Sequence, residues 1–324
     1  MYFAGATVAG NSSNANEDWT TMTSDLAVVL DGATVRTETG CKHDVAWYVR
    51  KLGASLIAEA ASKSHPLREV LATAIQDVVN LHPECDLSHP GTPSAAVGMV
   101  RVENGFLRYV VLGDVSIVLD YHGKIEVVSD GRVSETAPEE RRIADQYPIG
   151  APEKNSALVK MKHAELAARN HDGGYWIAAS NPDAANEAIV GEIEIESVRR
   201  FAILSDGAAR SVDLFGLYDW TAALDVMENE GPDELIRQVR VTESGDPSGE
   251  RFRRNKASDD ATAVFATASS RTPKKAEAKI TRITPRRKVT DEERRKAIAD
   301  VLNSGPNLPG IMGGQVRKGW RTTD

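Results

Sequence analysis

The feature that most constrains this chain is a short, wholly apolar run, Leu26-Ala-Val-Val-Leu30, which stops abruptly at Asp31-Gly32. An apolar run of this length with no polar alternate reads as a strand covered on both faces, so the fold must supply a layer above it and another below. The same grammar recurs. Val110-Val-Leu112 runs into Gly113-Asp114, Phe201-Ala-Ile-Leu204 runs into Ser205-Asp206-Gly207, and Asp259-Asp260 opens Ala261–Ala266. Glu17-Asp18 precede the first run. A single Asp-Gly after a strand is ordinarily a turn. Repetition in the same context is what points to chemistry.

Between these runs the periodicity changes. Val45, Tyr48, Val49 and Leu52 share a helical stripe that continues through Leu56 and Ile57, and Leu67, Val70, Leu71, Ala74, Ile75 and Val78 follow an i, i+3, i+4, i+7 spacing. The Ser64-His65-Pro66 break predicts an antiparallel helix pair. Residues 94–128 then read as four strands, Ala96–Val102, Phe106–Leu112, Ser116–Asp120 and Lys124–Val128, separated by turn residues and expected to form an antiparallel meander. Tyr175–Ala179 reads as a strand, Ile193–Val198 with Phe201–Leu204 as a hairpin, and 213–228 and 232–240 as helices. The expected class is α+β, with sheets packed under helix pairs.

Charge divides the chain. Residues 271–324 carry fourteen Lys/Arg against six Asp/Glu, a net of +8; with −8 for the whole chain, residues 1–270 carry −16. The boundary predicts a folded domain over 1–268 and a basic, largely disordered tail over 269–324, with one short capped helix near 291–303. An acidic body is a poor nucleic-acid binder but suits carboxylates gathered around cations; only the tail could touch nucleic acid, and weakly. Cys41 and Cys85 form no CxxC pair, so neither a disulfide framework nor a thiolate zinc site is expected, and a reducing cytoplasm is the expected setting. No stretch approaches the length of a membrane span, and the chain is expected to be a monomer.

Hard divalent cations such as Mg²⁺ and Mn²⁺ prefer oxygen donors, which carboxylates at rigid strand ends supply. Gly32 lets the backbone approach closely enough for its carbonyl to join the shell. Two such cations would lower the pKa of a bridging water and neutralise phosphate charge, so no protein nucleophile is required.

In order and spacing, Asn16-Glu17-Asp18, Val28-Val-Leu-Asp31-Gly32, Thr92–Val97 followed by Val110–Val115, Phe201-Ala-Ile-Leu-Ser-Asp206-Gly207 and Asp259-Asp-Ala-Thr-Ala-Val264 resemble the motifs of the type 2C family of metal-dependent Ser/Thr protein phosphatases. The resemblance covers roughly residues 1–268. It implies two packed antiparallel sheets flanked by paired helices, and hydrolysis of phosphoprotein substrates by a water bridging two Mn²⁺ or Mg²⁺ ions. It further implies that Asp31 bridges both ions, that the Gly32 carbonyl serves the second, and that Asp206 and Asp259 complete the first. Glu17 would act through water, Asp18 would support the shell, and Asp130 would hold a third, weaker ion. Asp114 is read as capping a turn.

Two departures stand out. Ser13 occupies the place of the family's phosphate-gripping arginine, and Ala33 that of its proposed acid histidine. Arg36 or Arg210 could restore the first, and His43 is a candidate for the second, although a histidine beside a helix start usually caps or packs. The departures leave a second reading open, a pseudo-phosphatase that binds without turning over.

Overall fold

The computed structural model describes residues 1–62 and 65–267; the tail, including the helix expected near 291–303, lies outside them. Two five-stranded sheets form the centre, and every strand pairing is antiparallel. The first sheet runs in the order β2 (Trp19–Met22), β3 (Leu26–Gly32), β4 (Ala95–Glu103), β5 (Phe106–Leu112) and β8 (Ile189–Glu194). The second runs β1 (Tyr2–Val8), β10 (Ala261–Thr267), β9 (Val198–Leu204), β6 (Ser116–Tyr121) and β7 (Lys124–Val128).

Period-two alternation explains the layering. Ala27 and Val29 of β3 point into a core shared with Ile117, Ile203 and Val264 of the opposite sheet. Val28 and Leu30 point the other way, onto α1 (Val45–Ala60) and α2 (Leu67–Asn80), where they meet Leu52, Leu56, Leu71 and Ile75. The second sheet is covered in turn by α6 (Asp206–Asp213), α7 (Trp220–Asn229) and α8 (Pro232–Ser244), through Leu204, Phe265, Leu224, Leu235 and Ile236. The result is a four-layer sandwich, α+β as expected. Each core aliphatic contributes about 1.5–3 kcal/mol by burial.

Capping fixes the helix starts. Asp44 accepts a hydrogen bond from the Trp47 N–H at 2.6 Å, and Asp219 accepts one from Ala222 at 2.8 Å. Pro152 opens α5 (Pro152–Ala168), and Pro232 opens α8.

Several expectations need correction. Residues 95–128 are two hairpins in different sheets, because β5 takes β8 as its outer neighbour while β6 pairs with β9. Ile193–Val198 and Phe201–Leu204 are not a hairpin; a 3-10 turn over Ile195–Ser197 carries the chain from one sheet to the other. Tyr175–Ala179 makes only isolated bridges, to Arg169 and Ala95. The helix expected over 213–228 is instead α6, beginning at Asp206, followed by α7 after Gly216 turns the chain with φ +57°. Periodicity predicts no element over 129–168. That segment forms α3 (Arg132–Glu135), α4 (Pro138–Ala144) and α5, which stand over one mouth of the sandwich. The inward face of α5 carries Lys154 and Glu165 beside Leu158 and Met161, which blurs the apolar stripe.

Candidate metal centre

At one end of the sandwich the seam between the sheets opens into a cavity of about 360 Å³ whose lining includes Asp31, Asp114, Asp206 and Asp259. Asp31 closes β3 in one sheet; Asp206 follows β9 in the other and is the first residue of α6. The Asp206 N–H donates to Asp31 Oδ2 at 3.0 Å, so the two motifs are tied across the seam. Asp18 lies underneath, 6% exposed, and its Oδ2 has no hydrogen-bond partner among the described residues.

Two glycines make the convergence possible. A Cβ at Gly32 would stand 2.4 Å from the Glu17 carbonyl oxygen, and one at Gly207 would stand 1.9 Å from that of Asp260. Each acidic loop therefore seats itself against the glycine that follows the opposing motif aspartate. Asp260 is spent on the backbone: its carboxylate accepts the Gly10 N–H at 2.8 Å and the Glu17 N–H at 2.6 Å. That bond holds the Glu17-Asp18 loop in place, while Thr34 Oγ1 donates to Glu17 Oε2 at 3.2 Å.

The electrostatics follow from crowding acids in a confined space. Burial, then repulsion from Asp206, Asp18, Asp114 and Asp259, pushes the Asp31 carboxyl well above its ordinary value. Burial raises Asp18 to about 8, although hydroxyls of Thr262 and Ser205 pull the other way. Asp114 is pushed up to about 7 by burial and by Asp206. Asp206 and Glu17 are also raised, mainly by burial. Asp259 is the exception: burial pushes it up, but Lys256 and Arg210 outweigh that and hold it below the usual carboxylate range. The Arg210 Nη2 lies 2.6 Å from Asp259 Oδ2, and Lys256 Nζ bonds both Asp259 and Thr34.

An all-oxygen donor set, an orphaned carboxylate oxygen and acids pressed toward protonation fit hard divalent cations, which would replace the protons the cluster otherwise retains. Asp31, Asp206 and Asp259 come together, with Glu17 and Asp18 against the same loops. Asp114, expected to cap a turn, joins them in the cavity wall. Asp130 is elsewhere: its carboxylate makes a fork with Arg132, at 2.7 Å for the closest contact, and does not line the cavity. His43 does not line it either.

Of the two arginines, Arg210 is committed to Glu243 at 3.0 Å and to Asp259. Arg36 lines the main cavity and also the neighbouring recess that contains Ser13 and Glu17, and among the described residues its side chain makes one hydrogen bond, a long 3.5 Å contact to the Asn255 carbonyl. Lys256 is a site residue that sequence reasoning misses. Its only signal is a position three residues before Asp259, in a basic run that reads as a solvated loop.

Among solved structures, the fold resembles the serine/threonine phosphatase of Staphylococcus aureus at 13% identity, with 82% of this chain and 94% of that chain covered and a TM-score of 0.51. A bacterial serine phosphatase matches at 12% identity, 83% and 98% coverage and a TM-score of 0.50. The PPM Ser-Thr phosphatase from Mycobacterium smegmatis, solved with cacodylate, gives 19% identity, 82% and 97% coverage and a TM-score of 0.48. No curated protein sequence matches the chain. The profile of the protein phosphatase 2C family matches residues 13–238, a span containing Glu17, Asp18, Asp31, Asp114 and Asp206. The chain belongs to the protein phosphatase 2C family.

Proposed function

We propose that the chain is a metal-dependent phosphoprotein Ser/Thr phosphatase, hydrolysing the phosphoester with two Mn²⁺ or Mg²⁺ ions in the cleft. The observation that carries this is the gathering of Asp31, Asp114, Asp206 and Asp259 at one seam, together with the raised carboxyls of Asp31, Asp114 and Asp206. When bound, the cations neutralise phosphate charge and make a coordinated water acidic enough to attack.

The remaining roles belong to the chain. Asp31 and Asp206 face the reacting groups, Asp31 with the Gly32 carbonyl beside it. Asp259 completes the oxygen cage, Glu17 serves through water, and Asp18 supports the cage from below. Arg36, sharing a recess with Ser13, takes over the grip on the phosphate; a guanidinium fork matches phosphate geometry. Lys256, held charged by Asp259 despite its burial, orients that carboxylate and stands next to Thr34 on the cleft wall.

Replacing Asp31 with Asn keeps an acceptor for the Asp206 N–H but removes the carboxylate charge that would hold the cations. The variant should remain folded and lose Mn²⁺-dependent hydrolysis of p-nitrophenyl phosphate and of phosphopeptides. Turnover equal to that of the wild type would sink the proposal.

Ala33 and the Lys256–Asp259 pair favour a second reading, a recognition module that retains the site without turnover. Calorimetric titration with Mn²⁺ alongside the activity assay separates the two: heat of binding with no hydrolysis selects the module.

A further inference from the structure

Away from the cleft, the loop leaving β3 and the segment leaving α2 bring four soft donors together, Cys41 and His43 from the first and His82 and Cys85 from the second. Cys41 Sγ lies 3.4 Å from Cys85 Sγ and 3.6 Å from His43 Nδ1, and Cys85 Sγ lies 3.8 Å from the same nitrogen. Donor atoms of Cys41, His43 and His82 all fall within 4.8 Å of one another, and both cysteines are free thiols. Zinc binds sulfur at about 2.3 Å and nitrogen at about 2.0–2.1 Å, so a tetrahedron sets S···S near about 3.8 Å and S···N near about 3.6 Å. The three separations among Cys41, Cys85 and His43 differ from these by a few tenths of an ångström; His82 stands further off, within 4.8 Å of Cys41 and His43, and would close in on the metal.

His82 supplies an independent observation. It is 5% exposed, and its Nδ1 lies 2.7 Å from the Val78 carbonyl in the last turn of α2. A carbonyl only accepts, so Nδ1 carries the proton and Nε2 presents a bare lone pair. Among the described residues that Nε2 is buried without a partner. Capping the helix explains one nitrogen of the ring and leaves the other with nothing to do. A ligating histidine is ordinarily oriented in this way, through a backbone carbonyl on its other nitrogen.

The surroundings agree. The His43 backbone N–H donates to Cys41 Sγ at 3.3 Å, which fixes that sulfur against the loop. The His43 ring stacks on Trp47 with centroids 3.9 Å apart, and the His82 ring meets the same indole edge-on at 4.8 Å.

We propose that Cys41, His43, His82 and Cys85 form a structural site for one Zn²⁺, closed by four protein ligands and separate from the phosphatase cleft. On binding, each thiol gives its proton to solvent and each sulfur donates a lone pair to the metal. The site staples the loop between β3 and α1, which carries Arg36, to the segment that leads into β4. Its ligands follow a Cys-x-His and His-x-x-Cys spacing, with nearly forty residues and a helix pair between the halves. A disulfide between the two cysteines would leave both imidazoles unexplained.

The test is a Co²⁺ titration of the reduced, chelator-treated full chain. About one equivalent should produce a thiolate-to-cobalt charge-transfer band in the near ultraviolet with intense visible bands, and Zn²⁺ should bleach both. The Asp31→Asn variant should keep these bands, and the Cys41→Ser/Cys85→Ser double variant should lose them. X-ray absorption at the zinc edge of the wild-type chain requires no variant and should give sulfur and nitrogen neighbours in equal number. An all-oxygen shell would overturn the proposal. So would the lack of a charge-transfer band in the wild type, its survival in the double variant, or thiols found oxidised with no zinc bound.

Discussion

Replacing Asp18 with Asn should stabilise the metal-free protein at alkaline pH. In the folded, metal-free chain burial raises the Asp18 carboxyl from 3.8 to about 8. A group whose folded value lies above its unfolded value binds more protons when folded, so its contribution to stability is fully present below about pH 4 and is lost as pH rises through about 8. Each unit is worth about 1.4 kcal/mol, which sets a ceiling of about 6 kcal/mol. Asp206 and Asp260 share the repulsion behind that shift and take up part of it as Asp18 ionises, so about 2–3 kcal/mol is expected. Asparagine has no charge to desolvate. Urea unfolding in the presence of EDTA should show the variant more stable at pH 8, with the gap closing toward pH 4. Saturating Mn²⁺ should reverse the order at pH 8, because only the wild type offers the cation its full charge. A variant no more stable than wild type at pH 8 in EDTA would refute the reasoning.

Two further outcomes follow from the cleft. Arg36→Ala should raise KM for a phosphopeptide roughly tenfold or more, with a smaller change in kcat, since the guanidinium contacts the phosphate in ground and transition states alike; steady-state kinetics at saturating Mn²⁺ check this, and an unchanged KM would assign the grip to another residue. Arg210→Met should lower stability by about 3 kcal/mol or more, because it strips one partner from buried Glu243 and from Asp259; a shift in the urea midpoint measures it, and a change within about 0.5 kcal/mol would show that Arg240 and Lys256 suffice.

What the sequence reveals follows physical lines. The Leu26–Leu30 run announces a strand covered on both faces, and the stripes of α1 and α2 announce their pairing, because burial imprints its period on residues close in sequence. Strand partners leave no such mark. Nothing local to β5 distinguishes β6 from β8 as a neighbour, and the choice rests on which sheet has an open edge. Helix α5 is hidden because Lys154 and Glu165 are buried on its core face through pairing with Asp145 and Arg141, so charge there does not mean exposure. The motif aspartates can be read because each sits at the abrupt end of an apolar run. Lys256 cannot, since only the fold turns its loop back over Asp259. The cysteines show the same limit: a search along the chain for close pairs sets a thiolate site aside, although Cys41 and Cys85 lie 3.4 Å apart.

The hydrogen bond from Asp206 to Asp31 joins groups that belong to different sheets. The candidate donors are divided between the two halves, Asp31 on one and Asp206 with Asp259 on the other, so the full set comes together only when the halves dock. A cation seated there would act as a rivet through the sandwich, and prising the halves apart would first require its release. Ion exchange and sheet separation would then share one kinetic barrier. The rate at which EDTA strips the ion should therefore fall as the inter-sheet core of Val29, Ile117 and Ile203 is reinforced, even though none of these side chains touches the metal.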